Sequence, residues 1–270
     1  MTAFVSVEDL ASAIAPGAKL AMPTDYGGVA LAVIDRLIDA GIGGLHVVCV
    51  PTGGLHVDML IGAGLIATLE TSAVSLGEAG AAPCFVRAVK AGAIKLLDAT
   101  CPAILAGLTA AQKGVPFMPI RGLIGTDVLA ARADWRTIAN PFAPDDPIVI
   151  VPAIRPNVSL FHAPEADRDG NVWIGRRREL ALMAYASETT LVTVERIRDS
   201  SLLDDELTAA GVLPALYVTA VAEVRRGAWP YGLWGEYGPD LAALRAYAQA
   251  AKTEAGFAAY RDSRRERVPA

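Results

Sequence analysis

Twice within the first sixty residues the chain passes through the same unit: a short apolar block, a glycine-rich loop, then apolar residues at helical spacing. Lys19 to Met22 is the first block and Pro23-Thr24-Asp25-Tyr26-Gly27-Gly28 its loop. Val29, Val33, Ile34 and Leu37 then mark the inner face of a helix over 29–39. Gly41 to Gly44 turns the chain into Leu45 to Val50, and Pro51-Thr52-Gly53-Gly54 leads to a short helix around Asp58 to Gly62. Strands joined through helices run parallel and are covered on both faces. The alternation therefore predicts an α/β fold, a largely parallel sheet flanked by helices with right-handed crossovers.

The region from Ser75 to Thr126 extends the pattern. Ser75-Leu76-Gly77-Glu78 opens a helix-like run that stops at Gly92, and a short apolar stretch reaches Leu97. Asp98-Ala99-Thr100-Cys101-Pro102, a second helical run and a Val115 to Ile120 strand follow, closed by Arg121-Gly122. Small and polar groups thus fall at strand ends, where open α/β sheets bind ligands.

Ser6-Val7-Glu8-Asp9 has the form of a capping box for a helix to about Ile14, stopped by Pro16-Gly17. Residues 134–147 form a polar, proline-rich link rather than an element. Strands are expected at Ile148 to Pro152, Val158 to His162 and Leu191 to Val194, with a hairpin-like turn at Ala166 to Asn171 whose Gly170 supplies positive φ. An aromatic segment, Trp229 to Tyr237, precedes a polar helical tail from about Asp240. No linker of domain length interrupts the chain, so residues 1–270 read as one domain.

Composition narrows the function. The chain is 53% hydrophobic, yet no stretch approaches the roughly 18 uncharged apolar residues of a membrane span. A net charge of −5 and a pI near 5.3 give no footing for nucleic acid. The basic clusters are Arg176-Arg177-Arg178 and a group at Arg261, Arg264, Arg265 and Arg267, the latter read as a solvated tail. Cys49, Cys84 and Cys101 lack the spacing of a disulfide framework or a zinc site, so no metal is expected. The N-terminus lacks the layout of a signal peptide, and a cytoplasmic protein is the default.

Several residues admit both a chemical and a structural role. Gly27 and Gly28 suit close backbone approach to a ligand, though they match neither dinucleotide nor Walker fingerprints. Glu78, at an expected strand end, is either a general base or a helix N-terminal carboxylate. Cys101, before Pro102 at a helix start, is either a reactive thiolate or a small packed residue. His56 and His162 stand alone and read as surface or satisfied side chains. Arg121 either holds a carboxylate or phosphate, or pairs with Asp98 or Asp127.

Taken in order, these blocks resemble the A (α) subunit of the family I coenzyme A transferases, especially the glutaconate type. The matching stretches are Gly17 to Val33, Leu45 to Gly64, Ser75 to Thr126, His162 to Asn171 and Ser187 to Glu195, with the aromatic stretch through Tyr237 to Asp240. The resemblance implies the CoA-transferase fold and a hetero-oligomer with a CoA-transferase B subunit, α2β2 or larger. The implied reaction moves CoA from an acyl-CoA to a carboxylic acid, with the thioester as substrate and no further cofactor. A glutamate of the B subunit is the implied nucleophile, a role that passes to no residue here. The A subunit is expected to wall the site and hold the oxyanion.

On that basis Cys101, on the oxyanion side, and Glu78 are the catalytic candidates. Asp25, Gly27, Gly28, Thr52, Gly53, Gly54, Thr100 and Arg121 are the candidate substrate or CoA contacts. The chain departs from the pattern at two places. Cys101 stands where ketoacid-type relatives carry Gln and some ring-cleaving relatives Glu. Because a thiol donates weakly, losing that donor costs about 3 kcal/mol unless Thr100 or a backbone N–H replaces it. Pro23-Thr24-Asp25 stands where relatives show Gly-Gly-Phe. Two other readings therefore stay open: a subunit of a ring-cleaving acyl-CoA hydrolase, and a non-catalytic subunit that has kept the fold.

Overall fold

A computed structural model of the chain describes residues 2–265. In chain order it runs through β1 (Ala3–Phe4), α1 (Val7–Ser12), β2 (Lys19–Pro23), α2 (Leu31–Ala40), β3 (Leu45–Val50), α3 (Leu55–Gly62), β4 (Ile66–Thr71), α4 (Pro83–Ala91), β5 (Lys95–Asp98) and α5 (Cys101–Gln112). Then come β6 (Phe117–Ile120), α6 (Asp127–Ala131), β7 (Arg136–Ile138) and β8 (Ile148–Pro152). The chain returns through β9 (Val158–Asp167), β10 (Val172–Trp173), α7 (Arg178–Ala186), β11 (Thr189–Arg198), α8 (Glu206–Ala209), β12 (Val212–Leu213) and β13 (Ala220–Glu223), followed by α9 (Leu241–Ala250) and α10 (Glu254–Arg265).

Local signals set most helix ends. Ser6 Oγ accepts from the Asp9 N–H while the Asp9 carboxylate accepts from the Ser6 N–H, both at 3.1 Å, completing the capping box. The helix it starts ends at Ser12, short of the expected Ile14. Gly41 and Gly92, both left-handed, close α2 and α4. Pro83 and Pro102 sit in first turns, where a missing N–H costs nothing.

The main sheet has the order β1-β13-β11-β9-β2-β3-β4-β5, every neighbour parallel, with β10 and β12 added antiparallel beyond β9. From β2 the chain builds outward through β3, β4 and β5, and later returns to build the other side from β9. The order reverses between β2 and β9, which makes that gap the topological switch point. Alternate residues feed two cores: Leu20, Met22, Val47 and Cys49 face one, and Ala21, Val48 and Val50 the other.

Three expectations are corrected. The strand expected at Val115 to Ile120 is β6, which leaves the main sheet and pairs antiparallel with β8 in a separate small sheet. Residues 134–147 are not all link: Arg136–Ile138 forms β7 on the other edge of β8. Three exposed residues leave no hydrophobic signature, so only pairing makes this strand. The C-terminal helices are not a solvated tail, since Leu244, Tyr247, Phe257 and Arg264 are buried. Arg264 bonds Asp35 on α2 at 2.7 Å, and Arg265 pairs with Asp39. Arg267 lies outside the described residues.

Candidate active site

Four loops meet beyond the C-terminal ends of β2 to β5, and short-range bonding locks them together. The Thr24 and Thr52 hydroxyls lie 2.6 Å apart, and Thr24 Oγ1 donates to Asp25 at 3.0 Å. The Gly53 N–H donates to the Ala73 carbonyl and the Ser75 N–H to the Gly53 carbonyl, so the loops after β3 and β4 run together. Ser72 Oγ donates to the Pro51 carbonyl at 2.9 Å and lies 3.2 Å from the Cys101 thiol. Asp25, Thr52, Gly53, Gly54, Thr100 and Cys101 thus share one end of the sheet.

The glycines serve this assembly before any ligand. A Cβ on Gly27 would press on the Thr24 carbonyl at 2.8 Å. A Cβ on Gly28, at φ +92°, would lie 2.2 Å from the His162 carbonyl and 3.1 Å from the Trp234 ring. The Gly28 carbonyl in turn accepts from the His162 N–H at 2.7 Å, which bridges the switch point. A Cβ on Gly54 would meet the Tyr231 hydroxyl at 2.2 Å and Asp25 Cβ at 3.1 Å. That hydroxyl accepts from the Leu55 N–H at 2.6 Å, so Tyr231 caps α3 from beneath.

Cys101 is the first residue of α5, after Thr100 as N-cap. Thr100 makes no side-chain cap bond, and the Ala103 and Ile104 N–H groups both turn back to its carbonyl. Pro102 has no N–H. The Cys101 N–H is therefore a donor at the positive end of a twelve-residue helix with no acceptor among the described residues. The Cys101 thiol is exposed, whereas burial pushes the thiols of Cys49 and Cys84 up to about 12 and about 11.

Acidic groups border the same cleft. Burial raises the Asp25 carboxyl above its usual range, only partly offset by the Thr24 hydrogen bond, and no cation pairs with it among the described residues. Tyr26, left-handed at φ 58°, has its phenol raised by burial and then by the charges of Asp25 and Glu78. Glu78 does not lie at a strand end: β4 stops at Thr71, and Glu78 sits exposed on a 3₁₀ turn over Gly77–Ala79.

Among the described residues, no histidine side chain reaches this cleft. His56 is fully buried, and desolvation pulls its imidazole down to about 3. His162 is also fully buried, 2.8 Å from Thr193 Oγ1 and 2.8 Å from the Glu195 carboxylate. His46 lies in the first half of β3, in a separate cavity with Lys19, Glu70, Lys95 and Arg132. Arg121, at the end of β6, is exposed and pairs with Asp146 at 2.6 Å, not with Asp98 or Asp127. Two elements escaped the sequence reading. Ser72 follows β4, whose apolar run carried no turn signal, and Tyr231 reaches the cleft from a segment over 170 residues away from Leu55.

The fold is that of an open parallel α/β protein whose loops after β2 to β5 gather polar side chains and a helix-end N–H at the C-terminal edge of the sheet, the edge at which such sheets bind ligands. Within that class, the family model for coenzyme A transferase matches residues 4–224, and the chain belongs to that family. It is 31% identical over 234 residues to the A subunit of 3-oxoadipate CoA-transferase from Pseudomonas knackmussii, covering 84% of this chain and 80% of that one. The A subunit of glutaconate CoA-transferase from Acidaminococcus fermentans is 29% identical, covering 75% and 68%. A cholesterol ring-cleaving hydrolase subunit of Rhodococcus jostii is 30% identical, covering 83% and 78%. Among solved structures, a variant of the decarboxylase AibA/AibB superposes with TM-score 0.87 at 26% identity, covering 98% of each chain. No helix among the described residues is long and apolar enough to cross a membrane.

Proposed function

We propose that this chain is the A subunit of an acyl-CoA:carboxylate CoA-transferase, working in the cytoplasm with a B subunit in an α2β2 or larger assembly. The observation that carries this reading is a donor-rich cleft that, among the described residues, holds no histidine side chain. Ser72 and Cys101 face each other, and neither has a base to activate it. The chain can hold a thioester oxygen, and, as the family resemblance implies, the nucleophile is a carboxylate of the partner.

The chemistry fits such a division of labour. A partner carboxylate adds to the thioester carbonyl, the C–S bond breaks, and CoA leaves as thiolate to give a mixed anhydride. The thiolate then attacks the partner's acyl carbon, expelling the original acyl group as its carboxylate and leaving CoA on the partner as a thioester. An incoming carboxylate reverses these steps. No proton is consumed, so the chief demand on this chain is stabilisation of the oxyanion. The Cys101 N–H at the start of α5, with the Thr100 hydroxyl beside it, supports that role. The thiol then need not replace the missing amide. In the purified complex, an acyl-CoA should leave a hydroxylamine-sensitive CoA adduct on the partner chain. Absence of an adduct across a panel of acyl-CoAs would overturn the reading.

One observation favours a second reading. Asp25 is a partly buried carboxylate, raised by burial and unpaired with any cation among the described residues, which suits a proton carrier. Hydrolysis or decarboxylation of an acyl-CoA needs one and transfer does not. Asp25→Asn should leave transfer within about threefold of wild type, whereas proton-dependent chemistry would fall about 100-fold or more.

A further inference from the structure

Beside the four loops lies an open cleft of about 510 Å³, lined by Tyr26, Arg177, Leu233, Trp234, Glu236 and Tyr237. Arg177 is the middle residue of the Arg176-Arg177-Arg178 run, the one basic cluster that neither the fold nor the proposed reaction explains. Its guanidinium stacks on the Trp234 ring, 3.4 Å from the centroid. The ring itself lies against Gly28, so the stacked pair stands directly over the switch-point loop.

The pair is held in place from several sides. The N–H groups of Ile174 and Gly175 both donate to the Gly211 carbonyl, at 2.8 and 3.0 Å, fixing the turn that leads into Arg177. The Trp234 to Tyr237 segment is fastened through Tyr237, whose hydroxyl donates to Glu195 at 2.8 Å and accepts from the Ala228 N–H. Glu236, the carboxylate on the cleft wall, is taken by Arg196 at 2.7 Å. Arg177 has no ion pair of its own among the described residues. Burial draws its guanidinium below the usual range, with Glu179 acting only at longer range. A stacked arginine keeps its fork of donors in a fixed plane, suited to bidentate capture of carboxylate or phosphate oxygens.

We propose that Arg177, stacked on Trp234, is an anion clasp that holds a negatively charged group of the acyl-CoA at the rim of the active-site cleft. Tyr26 joins the two regions, lining the clasp on one side and adjoining Asp25 on the other. The bound group is a planar or tetrahedral oxyanion: either a carboxylate at the far end of the acyl chain or a phosphate of CoA. The proposal rests on the transferase reading for its ligand, and the test separates the two.

The measurements are steady-state kinetics of the complex and Trp234 fluorescence, the latter assigned with Trp234→Phe. Arg177→Ala and Arg177→Gln should raise KM for acyl-CoA about 10- to 100-fold, the loss of a charged bidentate contact, with kcat within about threefold. Arg177→Lys should recover part of the loss, and Arg168→Ala, an exposed arginine paired with Asp199, should change nothing. A KM effect confined to acyl groups bearing a second carboxylate assigns the clasp to the acyl end. An equal effect for all acyl groups that vanishes with 3′-dephospho-CoA thioesters assigns it to the CoA phosphate. Unchanged KM in both series, with transfer intact, would overturn the clasp and leave the transferase reading standing. Saturable quenching of Trp234 by CoA that is lost in Arg177→Ala, without any transfer by wild type, would keep the clasp and sink the transferase reading.

Discussion

On the proposed reading, Cys101 acts through its backbone N–H more than its thiol. If the N–H is the oxyanion donor, Cys101→Ala should keep turnover within about threefold, whereas Cys101→Pro should lower it about 100- to 1000-fold. Proline is well suited to the first turn of a helix, and Thr100 already has the extended backbone (ψ 154°) that precedes it comfortably. The Cys101→Pro chain should therefore fold normally, and circular dichroism beside the kinetics checks this. A large loss in Cys101→Ala would instead assign the role to sulfur. The cysteines give an independent measure of the site's openness. One equivalent of a thiol reagent should label the native protein at Cys101, and all three cysteines should react after denaturation.

At the scale of elements, Asp58 is the joint between the first half of the sheet and the C-terminal helices. From α3 its carboxylate accepts from the Cys84 and Phe85 N–H groups at the start of α4, at 3.2 and 2.6 Å. It also accepts from the Tyr247 hydroxyl on α9 at 2.6 Å. Asp58→Ala leaves these donors buried and unpaired and should cost about 3 kcal/mol, read as a lower urea midpoint. An unchanged midpoint would show that α9 is held by apolar packing alone. Elements bounded by glycine or proline, such as α2 and α4, are legible in sequence because backbone conformation dictates those residue types. The docking of α9 and α10 is not, because Asp58–Tyr247 and Asp35–Arg264 join positions about 190 and 230 residues apart. The same holds for the cleft. Thr52, Thr100 and Cys101 announce themselves as polar groups at strand ends, but the Ser72–Cys101 and Thr24–Thr52 contacts exist only once β2 to β5 lie side by side.

For the whole molecule, the buried imidazole of His56 predicts a defined acid response. Its folded value, drawn down to about 3 by burial, lies below the ordinary 6.5. The unfolded chain therefore binds a proton that the folded chain refuses between those values. Stability should be full above pH 6.5, decline as pH falls toward 3, and level off below it as far as this residue is concerned. The buried-site substitution His56→Gln should flatten the dependence of the urea midpoint on pH over that window, whatever its effect at neutral pH. An unaltered slope would show that the residue is solvated or paired.

CoA transfer completed by a partner subunit is the proposed work of the loop cluster beyond β2 to β5, with its free Cys101 N–H. The direct measurement is the fate of the thioester when the complex turns over an acyl-CoA in the presence of an acceptor carboxylate. Transfer requires that total thioester stay constant while new acyl-CoA appears in proportion to the free acid released. Stoichiometric appearance of free CoA thiol, or of carbon dioxide from the acyl group, would contradict the account and assign the cleft to hydrolysis or decarboxylation.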